Sequence, residues 1–100
     1  MKASELLQRI QSNTTPVVVD VRFRSEFDAG HVHGAINTPF FAPDTAKLPQ
    51  DKSAELVMYC GHGQRAWIAQ QLLALRGYRN SSLLDGHMKG WREAALPLEK

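Results

Sequence analysis

Apolar side chains fall along the chain in alternating helical and strand-like groups. Leu6, Leu7 and Ile10 recur at helical spacing within residues 3–11, and Ser12, Asn13, Thr14, Thr15 and Pro16 end that pattern. Val17, Val18, Val19 and Val21 form a β-branched run broken only by Asp20, the pattern of a strand buried on both faces. Residues 25–28 predict a helical turn stopped by Gly30, and residues 34–37 a second brief strand. Pro39, Pro43 and Pro49 punctuate residues 38–51 and leave room for a short helix at most. Leu56, Val57, Met58 and Tyr59 predict a third strand that runs into Cys60, followed by a tight loop at Gly61 and Gly63. From Arg65, the spacing of Trp67, Ile68, Gln71, Leu72 and Leu75 predicts an amphipathic helix that stops at Gly77. Residues 82–84 predict a last strand and residues 87–94 a last helix before Pro97.

Strands alternating with helices predict an α/β fold, a parallel sheet covered by helices on both faces. Functional loops of such sheets lie beyond the carboxyl ends of the strands, and Cys60 stands at one of those ends. One hundred residues with 43% hydrophobic content suit one compact domain over residues 1–100, without disulfide or metal staples. The formal charge of +2 comes from cations scattered along the chain, so neither nucleic acid nor an anionic membrane is implied as a partner. No stretch approaches the roughly 18 apolar residues of a membrane span, and the N-terminus lacks a signal-peptide core. The expectation is a soluble, cytoplasmic protein.

A single cysteine can form neither an internal disulfide nor a multi-Cys metal site, so Cys60 is an inert core thiol, a surface accident or a chemical tool. A lone cysteine ending a buried strand is ordinarily a small core residue. The segment Cys60-Gly61-His62-Gly63-Gln64-Arg65 reverses that expectation. Two glycines within four residues let the backbone curl until successive N–H groups point inward as an anion-binding nest. The following helix adds its free amino-terminal N–H groups and the positive end of its dipole. Cysteines in such fields fall from about 8.5 to roughly 3.5–7.5, which yields a thiolate at neutral pH without a general base. Arg65 either presents planar donors to an oxyanion such as thiosulfate or closes the loop by bonding its carbonyls. The C-x-x-G-x-R pattern also resembles the anion loops of phosphatases, so spacing alone does not fix the reaction.

The ordered set of pieces resembles the rhodanese family from about Val17 to Trp91. The matching pieces are Asp20-Val21-Arg22, Glu26-Phe27, Gly30-His31-Val32, Gly34-Ala35-Ile36-Asn37 with Pro39, the Cys60–Arg65 loop, and Asp85-Gly86 with Trp91. The resemblance implies a compact single-domain sulfurtransferase built on a parallel sheet of about five strands. It implies that Cys60 is the catalytic nucleophile, carrying sulfur as a persulfide, and that the N–H groups of Gly61, His62, Gly63, Gln64 and Arg65 bind the substrate. The partners it implies are a small anionic sulfur donor and a cyanide or thiol acceptor, with a protein sulfur-relay partner as the other reading, and no metal or organic cofactor. Relatives acting on phosphate carry a loop one residue longer, which favours sulfur here. One departure is His87, where many relatives have a second glycine after Gly86; its side chain either reaches the pocket mouth or caps the last helix. Another is Gly61, which leaves the position after the nucleophile without a side chain.

The remaining polar residues read mainly as structural. The resemblance makes Arg22 a partly buried cation that pairs with carboxylates to fasten the helix after it, and groups Asp20 and Glu26 with it. His31 and His33 lack a third ligand, which makes a poor metal site. His62 either lines the loop entrance or points into solvent. Trp67, Trp91, Phe40 and Phe41 are expected in the core or at the pocket rim, the two phenylalanines as an apolar wall for a donor or protein partner.

Overall fold

In the computed structural model, which describes residues 1–100, the valine run forms one of the two inner strands of a four-stranded parallel sheet. The elements in chain order are α1 (Ala3–Gln11), β1 (Val17–Asp20), α2 (Arg24–Ala29), β2 (Ile36–Asn37), a 3₁₀ turn at Thr45–Lys47, β3 (Leu56–Tyr59), α3 (Gln64–Leu75), β4 (Ser81–Leu83) and α4 (His87–Glu93). The strand order is β2-β1-β3-β4, with Val19 opposite Met58 and Met58 opposite Leu83. The sheet therefore has four strands rather than about five. The one further bridge, between His31 and Glu99, is too short to make another strand.

Alternation along the inner strands divides the core in two. Leu56, Met58 and Cys60 face α3 together with Val19 and Val21, and meet Ala66, Ala69 and Leu73 there. Val57, Tyr59 and Val18 face the opposite way, against Leu6 of α1 and Met88 and Trp91 of α4. Cys60 thus continues the side-chain row of β3 on the α3 face of the sheet.

The face that α3 buries differs from the one its large apolar residues suggest. Trp67 is 57% exposed and Leu75 82%, whereas Ala66, Ala69 and Leu73 are buried. Polar Gln64, Arg65, Gln70 and Gln71 are interspersed with apolar residues around the helix, so periodicity alone does not choose its inner face. Size does. Small Ala66 and Ala69 let the helix start close against the end of β3, where a tryptophan would hold it away. The stop at Gly77 follows the expectation, with φ +94 and the Tyr78 N–H bonded to the Leu73 carbonyl.

Beyond the sheet, a buried polar network fixes the segment after β1. Arg22 donates to both carboxylate oxygens of Asp20 and, at 2.7 Å, to the Gly30 carbonyl that ends α2. Tyr59 donates its hydroxyl to Asp20 Oδ2 at 2.7 Å and accepts from the Val32 N–H at 3.1 Å. Burial pushes the Tyr59 hydroxyl pKa up, so it remains a donor. No helix is long and apolar enough to cross a membrane.

Candidate active site

At the carboxyl end of β3 the chain must turn at once into α3, and the short connection 60–63 is held from outside by α4. Met88 N–H donates to the Cys60 carbonyl at 2.9 Å and Lys89 N–H to the Gly61 carbonyl at 3.1 Å. With those carbonyls engaged outward, the amides of the loop are turned inward, onto the sulfur. Gly63 N–H lies 3.0 Å from Cys60 Sγ and Ala66 N–H 3.4 Å. Only Gly63 needs its glycine for backbone reasons, with φ +127; Gly61 has no positive φ. At Gly61 the constraint is space, since a Cβ there would stand 3.3 Å from Arg65 Nη2.

Cys60 is only 1% exposed. Burial pushes its thiol up, but a hydrogen bond from the His87 side chain and others from the Ala66, Gly63 and His62 N–H groups outweigh it and hold the pKa at about 7. The thiol therefore ionises in the neutral range, in a ring of donors suited to an anionic sulfur.

Arg65 does not close the loop on its carbonyls. Its guanidinium reaches back to α2 and binds Glu26 through two parallel bonds, Nη1 to Oε1 at 2.6 Å and Nη2 to Oε2 at 3.0 Å. The plane rests 5.5 Å from the Phe23 ring centre. Arg65 holds Glu26 at about pH 2, the carboxylate also accepting from the Phe23 N–H at 3.0 Å. Sequence reasoning grouped Glu26 with Arg22 and so missed its part in orienting the cation beside Cys60; the signal was the acid one turn into the helix after β1.

Two openings flank the loop. A charged cleft of about 400 Å³ is lined by Gly61, His62, Arg65, Lys89 and Arg92. On the other side, a groove of about 620 Å³ runs between Gly63, Trp67, Ile68, Leu83 and His87. The exposed His62 borders both.

The family model of the rhodanese-like domain matches residues 2–94. The chain belongs to that family.

Among rhodanese-like relatives, the chain is 34% identical over 102 residues to the thiosulfate:glutathione sulfurtransferase of Saccharomyces cerevisiae, covering 87% of this chain and 73% of that one. It is 36% identical over 101 residues to the HTH-type transcriptional regulator Rv0324 of Mycobacterium tuberculosis, covering 97% of this chain but 43% of the regulator. The crystal structure of the Alr3790 protein from Anabaena sp. superposes with a TM-score of 0.87 at 28% identity, covering 99% of this chain and 80% of that one. The rhodanese-like domain thus occurs both in sulfurtransferases and within larger proteins of other kinds, and its general role is sulfur handling.

The structure gathers the expected site residues of this rhodanese-like domain unevenly. Cys60, Gly63 and Arg65 converge; Gly61 and His62 line the cleft, and the exposed Gln64 borders the apolar groove. His87, expected either at the pocket mouth or as a helix cap, lies against the loop and makes no side-chain cap to α4. Its backbone has φ +51, a conformation that costs a non-glycine residue about 1–2 kcal/mol. Phe41 is directed elsewhere, into a hollow with Pro43 and Leu72, whereas Phe40 meets Phe23 edge-on at 6.4 Å behind Arg65. His31 stacks on Phe27 at 3.8 Å, and His33 pairs with Glu99 at 2.9 Å.

Proposed function

We propose that the chain is a thiosulfate sulfurtransferase, in which Cys60 is the nucleophile and the N–H groups from Gly61 to Arg65 bind the substrate. The observation that carries this reading is the Cys60 sulfur held near pH 7 at the focus of the Gly63 and Ala66 amides. The thiolate attacks the outer sulfur of thiosulfate, the S–S bond of the donor breaks, and sulfite leaves with its electron pair. The terminal sulfur of the resulting persulfide carries the negative charge, which the loop amides stabilise as they did the thiolate. Cyanide or a thiolate then attacks that sulfur and releases the Cys60 thiolate. Arg65, fixed by Glu26, supplies positive charge where the donor's sulfonate enters. A site that works through a free thiol suits the reducing cytoplasm.

Thiocyanate formation from thiosulfate and cyanide tests the reading. Turnover by the native chain and none by Cys60→Ser is the expected result; turnover that survives in Cys60→Ser overturns it.

A second reading is a sulfur-relay or regulatory module that receives sulfur from another protein. Its support is the likeness to a regulator of which this chain matches under half, together with the exposed Trp67 and Ile68 along the groove beside the loop. It predicts slow turnover with thiosulfate but rapid exchange with a protein persulfide.

A further inference from the structure

The Cys60 N–H donates to His87 Nδ1 at 3.3 Å. A neutral imidazole accepts at one nitrogen and donates at the other, so this bond places the ring proton on Nε2. Nε2 lies over the loop, 3.0 Å from where a Cβ on Gly63 would stand. Gly63 is the residue whose own N–H meets Sγ at 3.0 Å. The loop can accept the ring only because position 63 has no side chain. The ring is nearly buried, at 9% exposure, and it is held there by a residue in the left-handed region that is not glycine. A strained backbone kept beside reactive sulfur points to a function for the side chain it carries.

We propose that His87 is a working part of the sulfur site: its Nδ1 holds the Cys60 amide in place while its Nε2–H donates to the Cys60 sulfur and stabilises it as an anion. On the sulfurtransferase reading the same donor serves the persulfide after transfer; its hold on the thiolate does not depend on that reading. The His87 side chain is also among the influences that hold the thiol down at about 7 against its burial. The other charged or titratable groups around the loop are Arg65 with Glu26 from α2, Arg22 after β1, His62 in the loop, and Lys89, Arg92 and Glu93 on α4. Of these only His62, which is exposed, also borders the groove side, where the imidazole stands.

The test is the pH profile of Cys60 alkylation by iodoacetamide, followed by intact mass, in native protein, His87→Asn and His87→Gln. Asparagine tolerates the left-handed backbone and keeps an acceptor at the Nδ1 position, but has nothing at Nε2. Its midpoint is expected to rise by about one pH unit, slowing alkylation at pH 7 about fivefold. Glutamine places an amide near the Nε2 position, and the midpoint is expected to return part of the way. If His87→Asn does not fold, His87→Gly, which relieves the backbone, carries the same expected rise. A folded variant lacking the Nε2 donor with the native midpoint overturns the proposal. Thiosulfate loading measured alongside keeps the two readings apart. A raised midpoint in a protein that never loads sulfur would sink the sulfurtransferase reading and leave His87 as the donor to the thiolate.

Discussion

Arg65 and Glu26 form a two-point ion pair, 2.6 and 3.0 Å long, that ties the first turn of α3 to α2 across the mouth of the cysteine loop. Both side chains are partly exposed, so the pair contributes little to global stability, about 0–1 kcal/mol, and acts mainly by orienting the cation. Glu26→Gln is therefore expected to move the melting temperature by only a few degrees while slowing sulfur loading from thiosulfate several-fold. Thermal melts and loading rates on the same samples check this. The Glu26 pKa is depressed in the fold, so the pair's contribution is complete above the ordinary value of 4.5 and fades as pH falls towards about 2.

The Arg22–Asp20 pair acts in the opposite sense. Both side chains are almost fully buried, and Arg22 also holds the Gly30 carbonyl. Arg22→Ala leaves Asp20 buried without its cation and is expected to cost about 3–5 kcal/mol. Urea unfolding would show it as a lower midpoint at unchanged slope, whereas a loss under about 1 kcal/mol would contradict the buried network.

Thiol ionisation links reactivity to stability. With the Cys60 pKa at about 7 in the fold against an ordinary value of 9.0, alkylation rises with pH through about 7 and then levels. The folded pKa is the lower one, so the linked stabilisation is present above about pH 9 and lost as pH falls through about 7. Two pH units correspond to about 3 kcal/mol. Unfolding curves at the two ends, for native protein and Cys60→Ser, isolate this contribution as the part of the pH dependence that disappears in the variant.

Gly63→Ala combines two faults, a positive φ of 127° and a Cβ 3.0 Å from His87 Nε2. The expected result is a loss of about 1–3 kcal/mol together with a raised Cys60 alkylation midpoint, since the imidazole must withdraw from the loop. Circular dichroism melts and the alkylation profile measure the two effects separately.

How much of this was legible beforehand depends on which force decided each feature. The strands at Val17–Asp20 and Leu56–Tyr59 and the cysteine loop between β3 and α3 follow from local pattern, because a buried parallel strand leaves an uninterrupted apolar run. The inner face of α3 was misread, because Trp67, Ile68 and Leu75 outweigh Ala66 and Ala69 in any hydrophobic count, while the close approach to β3 selects the small residues. Glu26 and His87 are 34 residues before and 27 residues after Cys60, and nothing local shows that the fold brings either to the loop. Spacing identified Arg65 as part of the loop, but whether it faced the loop carbonyls or a distant carboxylate was a tertiary question.

Sulfur transfer to Cys60 is read directly from the intact mass of the reduced protein before and after excess thiosulfate, with Cys60→Ala as control. The expected result is a gain of one sulfur atom in the native chain alone, removed again by cyanide. An unchanged mass in folded protein whose Cys60 still alkylates with a midpoint near 7 would contradict it.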